Sequence, residues 1–354
     1  MRSCDPPAAA AEVAGAALTQ VHGGGLRAAA RHYGIAPEHW LDLSTGINPN
    51  GYPLGLPPAV VWARLPESDD GLEAAAARYY GCEGLLPLPG SQAAIQLLPQ
   101  LRPVAARVGI LAPSYNEHAR GWRLAGHRVE ALPALGEGVQ AAIEARLPHL
   151  DVLVLVNPNN PTGLRVPVET LLRWHQQLVG RGGWLVVDEA FMDTVPEHSV
   201  LTATPDSGPG PGLLVLRSLG KFFGLAGARV GFLSAEPALR AALAERLGPW
   251  ALSGPARWAA TRALEDRAWQ EQTRATLTLA GARLEQLLRR CGITTAGGAA
   301  LFRWVRREDA VVLQDALARQ AILVRRFDDP ASLRFGLPGD EAQWHRLEQA
   351  LEAL

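Results

Sequence analysis

The chain has 354 residues, with 34 Lys and Arg against 35 Asp and Glu and a formal net charge of −1. That balance argues against a nucleic-acid binder, which needs a basic face to neutralise phosphates, and 48% apolar with only 19% charged residues excludes a disordered chain. The length suits roughly two domains, and 36 glycines with 27 prolines imply many short, tight connections.

From the N-terminus, MRSCDPPAAAAEVAG has no basic start followed by a bulky apolar stretch, so no signal peptide is expected. Residues 43–63 are uncharged, but Pro49, Pro53, Pro57 and Pro58 interrupt them and no membrane span is expected. Short apolar runs then recur at 108–111, Val152–Val156, 184–187, 213–216 and 230–233. They are too short for helices and too continuously apolar for strands with one wet face, so they read as strands covered on both sides. Helical patterns lie among them at Leu72–Tyr80, Val168–Val179 and Pro237–Leu247. The segment GPGPG at 208–212 is a turn-rich loop, because its prolines cannot supply amides to a phosphate. Beyond residue 248 a long helical stretch over 257–290 leads to strands at 300–305, 322–324 and 333–335. A closing helix over 341–354 has Trp344, Leu347, Leu351 and Leu354 on one face. The expected fold class is α/β, with a three-layer α/β/α large domain and a smaller α+β domain. Its expected divisions are an N-terminal arm over 1–50 that joins the small domain, a large domain over 51–247 and a small C-terminal domain over 248–354.

Cys4, Cys82 and Cys291 are odd in number, widely spaced and without a C-x-x-C pair, which fits a reducing, cytoplasmic compartment. The nine histidines show no metal-ligand spacing, so no metal is expected. In an open α/β sheet, ligands sit beyond the carboxyl ends of the strands. There the runs end in NPNNPTG (157–163), in Asp188-Glu189-Ala190-Phe191 and in RSLGKFFGLAGARVGF (217–232), bringing three polar clusters to one edge. Singly, a turn, a helix cap and a solvated lysine would explain them. Their joint order points to a site.

This order resembles the aspartate-aminotransferase-like superfamily of pyridoxal-phosphate enzymes (fold type I), over nearly the whole chain. The resemblance implies pyridoxal 5'-phosphate as cofactor, with Lys221 as the amine that condenses with its aldehyde. It also implies Asp188 as the carboxylate that pairs with the pyridine nitrogen and Asn160 as partner of the phenolic oxygen. Ser218 and Arg229 would hold the cofactor phosphate, joined by the turn Gly90-Ser91-Gln92 at a helix start. Tyr115 would stack on the ring, unless it is an ordinary loop tyrosine. On the substrate side, Arg334 matches an arginine that clamps an α-carboxylate. Arg325 matches one facing a substrate phosphate, while Arg326 should lie on the opposite face of its strand.

The opening HGGGLRAAARHYGIAPEHWLDLSTGINPNGYP (22–53) resembles the threonine-phosphate decarboxylases of cobalamin biosynthesis, which implies substrate-side roles for His22 and Asn48. The alternatives are an idle arm for His22 and a turn before Pro49 for Asn48. The implied reaction is decarboxylation of L-threonine O-3-phosphate to (R)-1-amino-2-propanol O-phosphate. A histidinol-phosphate-type aminotransferase shares every cofactor residue but usually has tyrosine where Phe191 stands. A non-catalytic pyridoxal-phosphate-binding regulator, which would need an attached DNA-binding module, is not expected, since about twenty residues precede His22 and the net charge is near zero. The family often shows R-Y-P-D where this chain has Arg64-Leu65-Pro66-Glu67; Leu65 removes a hydroxyl that reaches the neighbouring subunit's site. A homodimer is expected, with a small-molecule partner and neither nucleic acid nor membrane.

Overall fold

A computed structural model describes residues 23–103 and 105–354. Two sheets organise them. The larger has seven strands in the order β2-β8-β7-β6-β5-β3-β4. They are β2 (Leu85–Leu88), β3 (Arg107–Ala112), β4 (Arg128–Pro133), β5 (Val152–Val156), β6 (Trp184–Asp188), β7 (Leu213–Ser218) and β8 (Gly231–Ser234). The neighbours β7-β6-β5-β3-β4 are parallel, and β8 runs antiparallel to β2 and β7. Side chains alternate faces along a strand, and the core divides accordingly. Leu153, Leu155, Leu185 and Val187 enter one apolar cluster, whereas Val152, Val154 and Val186 enter another on the opposite face. Continuous apolar runs are therefore what a sheet sandwiched between helices requires.

The smaller sheet has the order β1-β11-β12-β10-β9, built from β1 (Leu41–Leu43), β9 (Gly297–Ala299), β10 (Phe302–Arg306), β11 (Ile322–Asp328) and β12 (Ala331–Gly336). The N-terminal β1 pairs in parallel with β11, so the beginning and end of the chain share this sheet.

The helices Leu72–Tyr80, Val168–Val179 and Pro237–Leu247 form over the expected residues. The stretch 257–290 does not form one helix. It divides into Gly254–Glu265 and Arg267–Arg290, because the Asp266 carboxylate accepts from the Trp269 amide and starts a new helix there. The Gln270 side chain donates to the carbonyls of Ala263 and Leu264, closing the preceding helix. Four strands were not expected: β1, β2, β4 and β9. All four are edge strands of their sheets, where the missing donor of Pro87 in β2 and the polar Arg128 and Glu130 of β4 are tolerated. Among the described residues no helix is long and apolar enough to cross a membrane.

Candidate active site

The carboxyl ends of β5, β6 and β7 open into a cavity lined by Asn160, Asp188, Phe191, Ser218, Lys221 and Arg229 together with Gly90, Ser91, Gln92 and Tyr115. Asn160 reaches it because the turn 157–163 is locked from within. Asn157 exchanges hydrogen bonds with Val166, and Asn159 donates to Thr162 Oγ1 and to the Pro113 carbonyl. This leaves the Asn160 side chain outside the turn, where its Oδ1 accepts from Arg334 at 2.5 Å.

Asp188 ends β6 and is 3% exposed. Its Oδ1 accepts from the Ala190 amide and its Oδ2 lies 2.9 Å from His118 Nε2. A carboxylate held from two sides keeps a fixed direction. His118 is a site residue that the motif analysis missed. Its signal was its place in APSYNEH, three residues after Tyr115 and so on the same helix face. Tyr115 lines the cavity, and its hydroxyl donates to Gln92 Oε1 at 3.0 Å. Burial, followed by the carboxylates of Asp188 and Glu117, pushes that phenol up to about 12, so it remains a donor.

Gly90, Ser91, Ser218 and Arg229 surround a space that no side chain among the described residues fills. A Cβ on Gly90 would lie 2.7 Å from the Arg229 guanidinium, and one on Gly231 would lie 2.5 Å from the Ser91 amide nitrogen. Arg229 takes a left-handed conformation, with φ 55°, to turn its side chain there. Guanidinium, the Ser218 hydroxyl and backbone amides form a donor set for a phosphate. With the Asp188 carboxylate and the Lys221 amine beyond them, these residues fit pyridoxal phosphate.

Lys221 follows β7, and its Nζ lies 5.5 Å from the Phe191 ring centre. Burial pushes its amine down to about 8; Arg334 and Arg229 push the same way and Asp188 opposes them. The neutral amine is the nucleophile. Capture of pyridoxal phosphate by cofactor-free protein should therefore accelerate as pH rises through about 8 and level off above it. Stopped-flow absorbance across that range checks this, and a midpoint near the ordinary 10.5 would contradict it.

Asn48 is 4% exposed, and its polar atoms are already engaged. Its Nδ2 donates to the Phe222 carbonyl, its Oδ1 accepts from the Asn50 amide, and its own amide donates to the Lys221 carbonyl. The structure thus places Asn48 behind the lysine loop, tying the N-terminal arm to it. His22 lies outside the described residues.

Arg334 is 4% exposed; besides Asn160 it donates to the Ser44 carbonyl, while its Nε has no partner among the described residues. Arg325 stands directly opposite Arg334 in the β11–β12 register. Arg326 turns the other way and pairs with Asp328 at 3.0 Å, as alternation requires. Burial and then Arg325 push Arg334 down to about 9, which still leaves it a cation at neutral pH. Among the described residues Arg325 and Arg334 have no carboxylate partner within ion-pair distance.

A family model for aminotransferase class I and II matches residues 62–353. A threonine-phosphate decarboxylase of Pseudomonas aeruginosa is 56% identical over 93% of this chain and 96% of that protein. One from Sinorhizobium sp is 42% identical over 94% of this chain and 97% of that protein. A solved histidinol-phosphate aminotransferase of Sinorhizobium meliloti, in complex with pyridoxal-5'-phosphate, shares the fold with a TM-score of 0.78 at 22% identity. That match covers 95% of each chain.

Proposed function

The chain belongs to the class I and II aminotransferase family, and from that premise we propose that it decarboxylates L-threonine O-3-phosphate with pyridoxal phosphate as cofactor. The product is (R)-1-amino-2-propanol O-phosphate, placing the reaction in cobalamin biosynthesis. The observation that carries this reading is the Arg325–Arg334 pair. Like charges directly opposite on a sheet destabilise it, and a substrate bearing both a carboxylate and a phosphate relieves the repulsion. The relatives at 56% and 42% identity support the same substrate.

Bound pyridoxal phosphate supplies an electron sink for the pair left on Cα when the carboxylate departs. The protein does the rest. Asp188, fixed by His118 and the Ala190 amide, presents its carboxylate to the ring nitrogen and favours the protonated form of that nitrogen. Arg229, Ser218 and the turn at Gly90 hold the cofactor phosphate. Arg334 takes the substrate α-carboxylate and Arg325 its phosphate, which orients the Cα–carboxylate bond. Carbon dioxide leaves, and Lys221 holds the proton that returns to Cα. Phe191 offers no hydroxyl at the position where the aminotransferases usually have one, so the phenolic oxygen of the cofactor loses a donor there.

Incubating the holoenzyme with threonine phosphate and no keto acid should release carbon dioxide and the amino alcohol phosphate. Glutamate formed from histidinol phosphate and 2-oxoglutarate, with no carbon dioxide, would sink the proposal.

The homodimer also belongs to this reading. Leu56, Val60, Trp62 and Leu65 are 96, 53, 68 and 62% exposed, and Trp250 is 59% exposed. The segment bearing Val60 and Trp62 packs on the helix Gly254–Glu265, where a Cβ on Gly254 would lie 2.3 Å from the Val61 carbonyl. An apolar surface of this kind marks an interface, and a second copy would cover it. Trp62→Asp combined with Leu56→Asp is expected to convert dimer to monomer in analytical ultracentrifugation. An unchanged sedimentation coefficient would remove this face from the interface.

A further inference from the structure

The two sheets meet at one place where neither side contributes a side chain. From the large sheet comes the turn 157–163, with Thr162 and Gly163; from the small sheet comes the β9–β10 hairpin, with Gly297 and Gly298. A Cβ on Gly297 would lie 2.1 Å from the Thr162 carbonyl oxygen, and one on Gly163 would lie 2.0 Å from the Gly298 carbonyl oxygen. Gly297 is not in the left-handed region, so the contact alone forbids a side chain there. Both elements lead directly to the substrate-holding arginine. Asn160, in the same turn, accepts from Arg334, and β10 pairs with β12 in the register Trp304↔Arg334.

We infer that the contact between Thr162-Gly163 and Gly297-Gly298 sets the distance between the arginines of the small sheet and the lysine of the large one. Gly297 is thereby a positioning residue for the reaction. This rests on the reading of Arg334 as a substrate ligand. A methyl at position 297 can be accommodated only by lifting the hairpin off the turn, and β10 carries β12 and Arg334 with it. A displacement on the order of 1 Å at a reacting group costs up to about 10²-fold in rate.

The test compares Gly297→Ala with Gly210→Ala, a loop position where a Cβ meets nothing within 4 Å. In the holoenzyme Gly297→Ala should raise KM for threonine phosphate and lower kcat/KM about 10- to 100-fold. The visible absorption of the bound cofactor and its affinity should match wild type, and Gly210→Ala should be unchanged. A folded Gly297→Ala with wild-type kcat/KM overturns the inference. If the wild type releases no carbon dioxide, the proposed function fails instead, and the Gly297→Ala ratio is then measured on whichever amino phosphate the wild type consumes. Should Gly297→Ala not fold, amide hydrogen exchange of the wild-type holoenzyme decides. Peptides spanning 157–166 and 294–300 should slow together on adding threonine phosphate; slowing in neither, or in one alone, overturns the inference.

Discussion

Replacing Lys221 with alanine is expected to lower decarboxylation by more than about 10³-fold, because in the proposed reaction one change removes both the covalent anchor and the proton carrier. The amine is suited to both roles. Burial holds it down to about 8, so near neutral pH a useful fraction is uncharged and can attack an aldehyde, while the rest can give up a proton. Lys221→Arg separates chemistry from charge: it keeps a cation beside Phe191 but cannot lose its proton near neutrality. It should fail as badly as alanine. The checks are single-turnover carbon dioxide release and the visible spectrum. A covalent cofactor band surviving in Lys221→Ala would assign the anchor to another residue.

Replacing Arg334 with leucine is expected to lower kcat/KM for threonine phosphate by about 10²- to 10³-fold. Truncating one partner of a buried, hydrogen-bonded charge pair typically costs about 2–5 kcal/mol, and here the pair forms only when substrate is present. The guanidinium is fixed by Asn160 and the Ser44 carbonyl, faces Arg325 across the strands and has no carboxylate among the described residues. Arg334→Lys should recover little, since an ammonium cannot span both acceptors and still meet a carboxylate in fork geometry. The leucine variant carries an electrostatic signature as well. With one depressing cation gone, the Lys221 amine should titrate higher, moving the pH midpoint of cofactor capture upward. A midpoint that stays in place, with kcat/KM unchanged, would remove Arg334 from the site.

Much of the large sheet was legible because burial on both faces leaves a one-dimensional mark. Val152–Val156 and its neighbours are unbroken apolar runs, and polar residues that follow such runs must stand at the sheet edge where ligands sit. That placed the clusters bearing Lys221, Asp188 and Asn160 at one edge, and the resemblance to the pyridoxal-phosphate enzymes singled out those residues within them. Elements whose signal is weak or shared were not legible. The edge strands β2 and β4 carry a proline or polar residues, and the break at Asp266 interrupts a continuous helical pattern by a single side-chain cap. His118 looked like any histidine until its ring was found 2.9 Å from Asp188, seventy positions away.

The sequence by itself determined the chemistry available: an amine, a carboxylate, an arginine eight residues after the lysine and two more arginines near the C-terminus, in a chain of formal net charge −1. Only the tertiary structure decided which of these groups oppose one another. It set Arg325 against Arg334, engaged Asn48 behind the lysine loop and brought Gly297 onto Thr162. The first depends on the register of the β11–β12 pair, and the other two on backbone separations of a few ångströms between segments more than a hundred residues apart. Local pattern cannot encode such separations, because they result from how distant segments pack against each other.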